Sequence, residues 1–150
     1  MKNLLIFLLL PILCNAQVNI DSLWGIWNNK NNTDSNRLSA MHQISWDGYL
    51  FTKPDSAFYF AQLELDFATE KELKKNMAAA LNTQGVSFAL RSDYDKAIIY
   101  YTQSLNIQEE IGDKSGIANA LNNIGIIYKR QGDYDTAIEY YTKSLKIRKE

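Results

Sequence analysis

The chain has 150 residues with 16 basic and 17 acidic side chains, a net charge of −1, one cysteine and one histidine. Near-neutral charge excludes the electrostatic footprint of a nucleic-acid binder. A single cysteine excludes a disulfide framework, and a single histidine leaves little for an imidazole-based metal site.

The first residues read as an export signal. Met1-Lys2-Asn3 is a short basic start, Leu4 to Leu13 is an apolar run, and Cys14 and Ala16 stand at −3 and −1 of a cut after Ala16. The run is far shorter than the roughly 20 residues that cross a hydrocarbon core of about 30 Å. The expectation is a signal peptide over 1–16, an exported and periplasmic mature chain, and no membrane span. A mature chain without cysteine suits an oxidising compartment. The alternatives for the same run are a lipoprotein signal modified at Cys14, against which stands Leu13 where a small residue is favoured, and a buried N-terminal helix.

Residues 17–36 read as a polar lead-in. Asn28 to Asn32 has the composition of an unpacked linker, while Asp21-Ser22-Leu23-Trp24 with Trp27 fits a short amphipathic helix that caps the downstream part of the chain. Asn31-Asn32-Thr33 matches a glycosylation sequon, a short and common pattern.

The remainder repeats with a period of 40. Laid over 120–147, residues 80–107 match at 15 of 28 positions without a gap, among them Gly85/Gly125, Asp93/Asp133, Ala97/Ala137 and Tyr101/Tyr141. A weaker copy lies one period earlier, with Ala40, Asp55, Ala57, Phe60 and Leu65 under Ala80, Asp95, Ala97, Tyr100 and Leu105. The units are 37–76, 77–116 and 117–150, and such fixed self-similarity predicts a stacked repeat architecture.

Each unit reads as two helices. Ile117, Leu121, Ile124 and Tyr128 recur at helical steps, Gln131-Gly132-Asp133 breaks the pattern, and Ile138, Tyr141 and Leu145 form a second stripe. Gly132 is placed as a left-handed C-cap and Asp135 as the N-cap of the second helix. Asp113 or Ser115 is expected to cap the first. Mid-helix Gly85 and Gly125 cost about 1 kcal/mol each relative to alanine; with Ala97 and Ala137 they are expected to let paired helices approach closely. Phe88, Tyr94, Tyr128 and Tyr134 are expected as core flanking that contact.

Leu121, Ile124, Gly125, Tyr128, Tyr134, Ala137 and Tyr141, echoed by Leu81, Gly85, Phe88, Tyr94, Ala97 and Tyr101, resemble the tetratricopeptide repeat (TPR). The period, longer than the common 34, resembles the long-helix subclass found in kinesin light chains and bacterial signalling proteins. Unit 37–76 is degenerate, with Ser45 and Gly48 where a glycine and an aromatic are expected. Residues 21–66 resemble the front of exported Bacteroidota-type TPR signalling proteins, in several of which the array precedes a membrane span and a cyclase or histidine kinase. The resemblance implies an all-α, right-handed superhelix of stacked antiparallel helix pairs with a concave groove for a protein or peptide.

The first helix of each unit is expected to line that groove. Asn119, Asn122, Ile126, Lys129 and Arg130 share one face by spacing, as do Ala79, Asn82, Val86, Ala89 and Leu90. Asn82 and Asn122 are expected to form a ladder whose amides suit an extended peptide backbone, and Lys129 and Arg130 to meet an acidic group. No catalytic constellation, phosphate loop, metal cluster or cofactor box is found, so the chain reads as no enzyme. His42 has no partner in sequence. Because Glu150 falls inside the last helix, Ile138, Tyr141 and Leu145 are expected to lack cover, implying an incomplete array or association with itself or a partner.

Overall fold

The computed structural model describes residues 18–149; the signal-peptide reading of 1–16 lies outside them. Seven α-helices are described, with no strand among the described residues: α1 (Ile20–Asn28), α2 (Asp34–Gln43), α3 (Pro54–Glu70), α4 (Lys74–Leu90), α5 (Tyr94–Glu110), α6 (Lys114–Gln131) and α7 (Tyr134–Lys149). A π-helical segment, Ile44–Tyr49, continues α2.

The lead-in is built rather than loose. Asn19 Oδ1 accepts from Ser22 N at 3.0 Å and caps α1. Asn32 Nδ2 donates to Ile26 O at 3.0 Å, and Thr33 Oγ1 caps α2 by accepting from Asn36 N at 3.2 Å. The asparagine run is therefore a hydrogen-bonded helix–helix turn, not the unpacked linker its composition suggests. Asparagine side chains bond locally to backbone groups, which is the property that also makes such runs resemble coil. The guanidinium of Arg37 stacks on Trp27 and Phe67, 5.2 and 4.3 Å from their centroids, and its Nε donates to Trp27 O at 2.8 Å. This contact ties α1 to α2 and α3.

Three antiparallel pairs follow: α2 and its π segment with α3, α4 with α5, and α6 with α7, each pair packed on the preceding one. Small residues line the seams at the 40-residue period. Ala40, Ala80 and Ala120 on the first helices and Ala57, Ala97 and Ala137 on the second are at most 2% exposed. The glycines serve aromatic rings as well as backbones. A Cβ on Gly125 would lie 2.8 Å from the Tyr141 ring and 3.3 Å from Ala137 O. Ser104 Oγ donates to Ala78 O at 2.8 Å, and Ser144 Oγ to Ala118 O at 2.7 Å, one bond repeated in register.

The turns are set by aspartates. Asp93, Asp113 and Asp133 cap α5, α6 and α7, Asp133 Oδ1 accepting from Thr136 N at 3.1 Å. The cap of α7 is thus Asp133; Asp135 lies inside the first turn, where a negative charge favours the helix dipole. Gly132 takes the left-handed conformation, φ 85°, that ends α6.

Unit one replaces the aromatic of its neighbours. A Cβ on Gly48, in register with Phe88 and Tyr128, would meet Ile20 Cδ1 at 2.5 Å, so α1 fills the space that those rings fill elsewhere. At the opposite end α7 is the last described helix. Tyr134, expected in the core, is exposed along with Ile138 and Leu145 on α7. Their counterparts Tyr94, Ile98 and Leu105 on α5 are packed against the cluster containing Ile124 and Ile127 of α6. Among the described residues no helix follows α7 to do the same, so Tyr134 lacks the neighbour that buries Tyr94.

Candidate peptide-binding groove

The first helices α2, α4 and α6 line a concave face holding two depressions that meet at Trp46. One, of about 370 Å³, is the more polar of the two, and among its lining residues are His42, Lys75, Asn82, Gln108, Asp113 and Asn119. The other, of about 270 Å³, is apolar and lined by Phe51, Val86, Leu90, Ile126, Ile127 and Arg130. Phe51 is 71% exposed and Leu90 40%. Clustered apolar exposure of this kind marks a surface that meets another molecule.

The sequence-derived candidates distribute unevenly over this face. Asn82 and Asn119 line the polar depression and Arg130 the apolar one. Asn122 and Lys129 line neither. The expected Asn82–Asn122 ladder is not formed: Asn82 Oδ1 accepts from Asn123 Nδ2 at 2.8 Å. This bond pairs residues 41 apart, one more than the repeat period. Arg130 Nη1, donating to Ala89 O at 3.4 Å, shows the same offset. Both bonds join neighbouring first helices, while the linings of the depressions keep the 40-residue period, with Ala79 and Asn119 in one and Val86 and Ile126 in the other.

The Asn82–Asn123 bridge leaves one carboxamide NH₂ and one carbonyl oxygen unspent, a donor and acceptor set matching one peptide unit. Asn119 Oδ1 accepts from Arg148 Nη2 at 2.7 Å, which fixes its amide at one wall. Arg130 and Lys129 have no carboxylate partner among the described residues. Tyr101 packs beneath the apolar depression; burial pushes its phenol pKa up, opposed by the charge of Arg130.

Sequence reasoning missed the role of His42. Its Nδ1 is 3.2 Å from Glu64 Oε2, and its ring stacks on Trp46. The signal was present in the register: His42 stands where Asn82 and Asn122 stand, and Glu64 where Ser104 and Ser144 stand. The partner residues are 22 apart, on different helices, which is why no local spacing announces them.

Among the described residues no group of three metal-ligating side chains occurs, and no helix is long and apolar enough to cross a membrane.

Residues 76–150 match the family model described as "Tetratricopeptide repeat". The chain belongs to the tetratricopeptide-repeat family. Among solved structures it is similar to the TPR domain of Arabidopsis FLU, with a TM-score of 0.68 and 21% identity over 75% of this chain and 96% of that one. At that identity the likeness shows the fold: a TPR solenoid, the all-α, right-handed superhelix of stacked helix pairs. No curated protein matches the sequence. Solenoids of this kind present extended concave surfaces for partners, and a TPR array is a protein-interaction scaffold.

Proposed function

We propose that this TPR chain is an exported, non-catalytic scaffold that holds an extended segment of a protein or peptide along its concave groove. The observation that carries the reading is the Asn82–Asn123 bridge between α4 and α6, with unspent amide groups beside an apolar depression. Main-chain amides of a bound segment need such partners once water is excluded, and exposed Phe51 and Leu90 supply area for its side chains. Export is supported by the basic start, apolar run and Ala16 cut of residues 1–16, with lipid attachment at Cys14 as the alternative route to the same compartment. Mass spectrometry of the N-terminus of secreted material distinguishes them: a chain beginning at Gln17 supports cleavage, a lipidated Cys14 the alternative, and an intact Met1 overturns export.

Groove binding is tested by retention of blocked random nonapeptides on the immobilised protein. Retention that falls at least tenfold in Asn82→Ala with Asn123→Ala supports the reading, and retention unchanged by that pair overturns it.

A second reading is favoured by α7. Its exposed Ile138 and Leu145 repeat the face that α5 gives to α6. Such a face fits a helix of another copy or of a larger assembly, as in a sensory TPR region serving a membrane-bound cyclase or histidine kinase.

A further inference from the structure

Unit one departs from the repeat at two facing positions. Where units two and three carry Ser104 and Ser144, each bonded to a helical carbonyl, unit one carries Glu64, whose side chain is wholly buried. Where they carry Asn82 and Asn122, it carries His42. Glu64 Oε2 meets His42 Nδ1 at 3.2 Å, while Oε1 is buried without a hydrogen-bond partner among the described residues. The imidazole stacks on Trp46, ring centroids 6.1 Å apart and planes at 17°. The π segment begins two residues on, and such bulges often mark functional positions.

A carboxylate removed from water needs a cation or a set of donors beside it. Among the described residues, His42 is the group that supplies this to Glu64. Burial pushes the Glu64 carboxyl above the usual carboxylate range, and the bond to Glu64 holds the His42 imidazole above its ordinary 6.5. The two share their protons as a unit. The other charged groups around His42 are Asp47 on the π segment, which also favours the imidazolium, Lys75 on α4 and Asp113 at the start of α6.

Because Glu64 takes Nδ1, the opposite ring edge is left to the polar depression that His42 lines. Nε2 makes no hydrogen bond among the described residues. What it offers depends on one proton. The imidazolium presents an N–H donor; the neutral ring keeps its proton on Nδ1 for Glu64 and presents a lone pair. Lys75, on the same wall, has no carboxylate partner among the described residues.

We propose that His42 Nε2 receives a carboxylate of the groove-bound segment, with Lys75 as a second cation and Glu64 as the residue that positions the ring, so that the scaffold selects acidic side chains when the imidazole is protonated. The inference rests on the groove function proposed for this scaffold. No atom of the backbone needs to move: the polarity of one ring nitrogen changes the ligand preference.

The test uses two pools of blocked random nonapeptides, one with glutamate fixed at the centre and one with glutamine, retained on the immobilised protein at pH 6 and pH 8. The glutamate pool is expected to be retained at least fivefold better at pH 6, with the preference gone at pH 8. His42→Gln should abolish the preference, bringing retention of the glutamate pool at pH 6 to the level of the glutamine pool. Glu64→Gln should move the pH at which preference is lost downward, a displacement that a merely structural role would not produce. As the sole histidine, His42 also reports directly: its ¹⁵N resonances should titrate at higher pH in the presence of the glutamate pool. Equal retention of both pools, or a preference untouched by His42→Gln, overturns this inference and leaves groove binding standing. Retention of neither pool overturns both.

Discussion

The ring of Tyr101 lies against the backbone of Gly85, so closely that a Cβ there would stand 2.6 Å from both Cδ1 and Cε1. Tyr101 is only 3% exposed, so its ring moves only by displacing its neighbours or entering the apolar depression it lines. Gly85→Ala gains about 1 kcal/mol of helix propensity against an overpacking cost of about 1–3 kcal/mol. The expected outcome is a lower urea midpoint. Gly125→Ala is expected to cost less, because Tyr141 is only half-buried and gives way outward. Equal effects would show that the ring's freedom does not set the cost.

The helix caps give a second comparison. Asp133→Ala removes the acceptor for Thr136 N and should cost about 1 kcal/mol. Asp135→Ala, inside the first turn, should change stability by no more than about 0.5 kcal/mol. Chemical denaturation of the two variants side by side checks the assignment.

Stability should fall with rising pH through the His42–Glu64 pair. An imidazole held above 6.5 in the fold stabilises fully below that value and loses its contribution as pH rises through the folded value. Glu64, raised by burial, acts with the same sign: once ionised it is a buried charge that depends on the imidazolium. Urea midpoints are therefore expected to decline as pH rises above about 4.5 through Glu64, and further above about 6.5 through His42. His42→Asn with Glu64→Ser installs the residues of the other units and should flatten that dependence. A slope that survives the double substitution would place its origin elsewhere.

The face of α7 predicts concentration-dependent association, read by light scattering. Ile138→Glu with Leu145→Glu should give a monomer of unchanged helical content. Dispersed wild-type protein at high concentration would show that this face needs no second copy.

Much of this architecture was legible in the residues. Period 40, the alanines at the seams, Gly132 and the aspartate-bearing turns all act locally, through helix propensity, capping and close packing. What escaped was relational. Asn82 bonds to Asn123 rather than standing over Asn122, a side-by-side pairing of α4 and α6 that a linear alignment does not carry. Tyr134 is exposed because burial depends on a neighbour, not on the residue. Glu64 is marked in the sequence only by its register with Ser104 and Ser144, since it is the fold that brings it to His42.

The bond that Ser104 and Ser144 make to a helical carbonyl in units two and three is a neutral clasp, while unit one holds the same position with Glu64 and His42. A change in acidity therefore acts on one end of the rod and leaves the neutral seams of the other two units as they are.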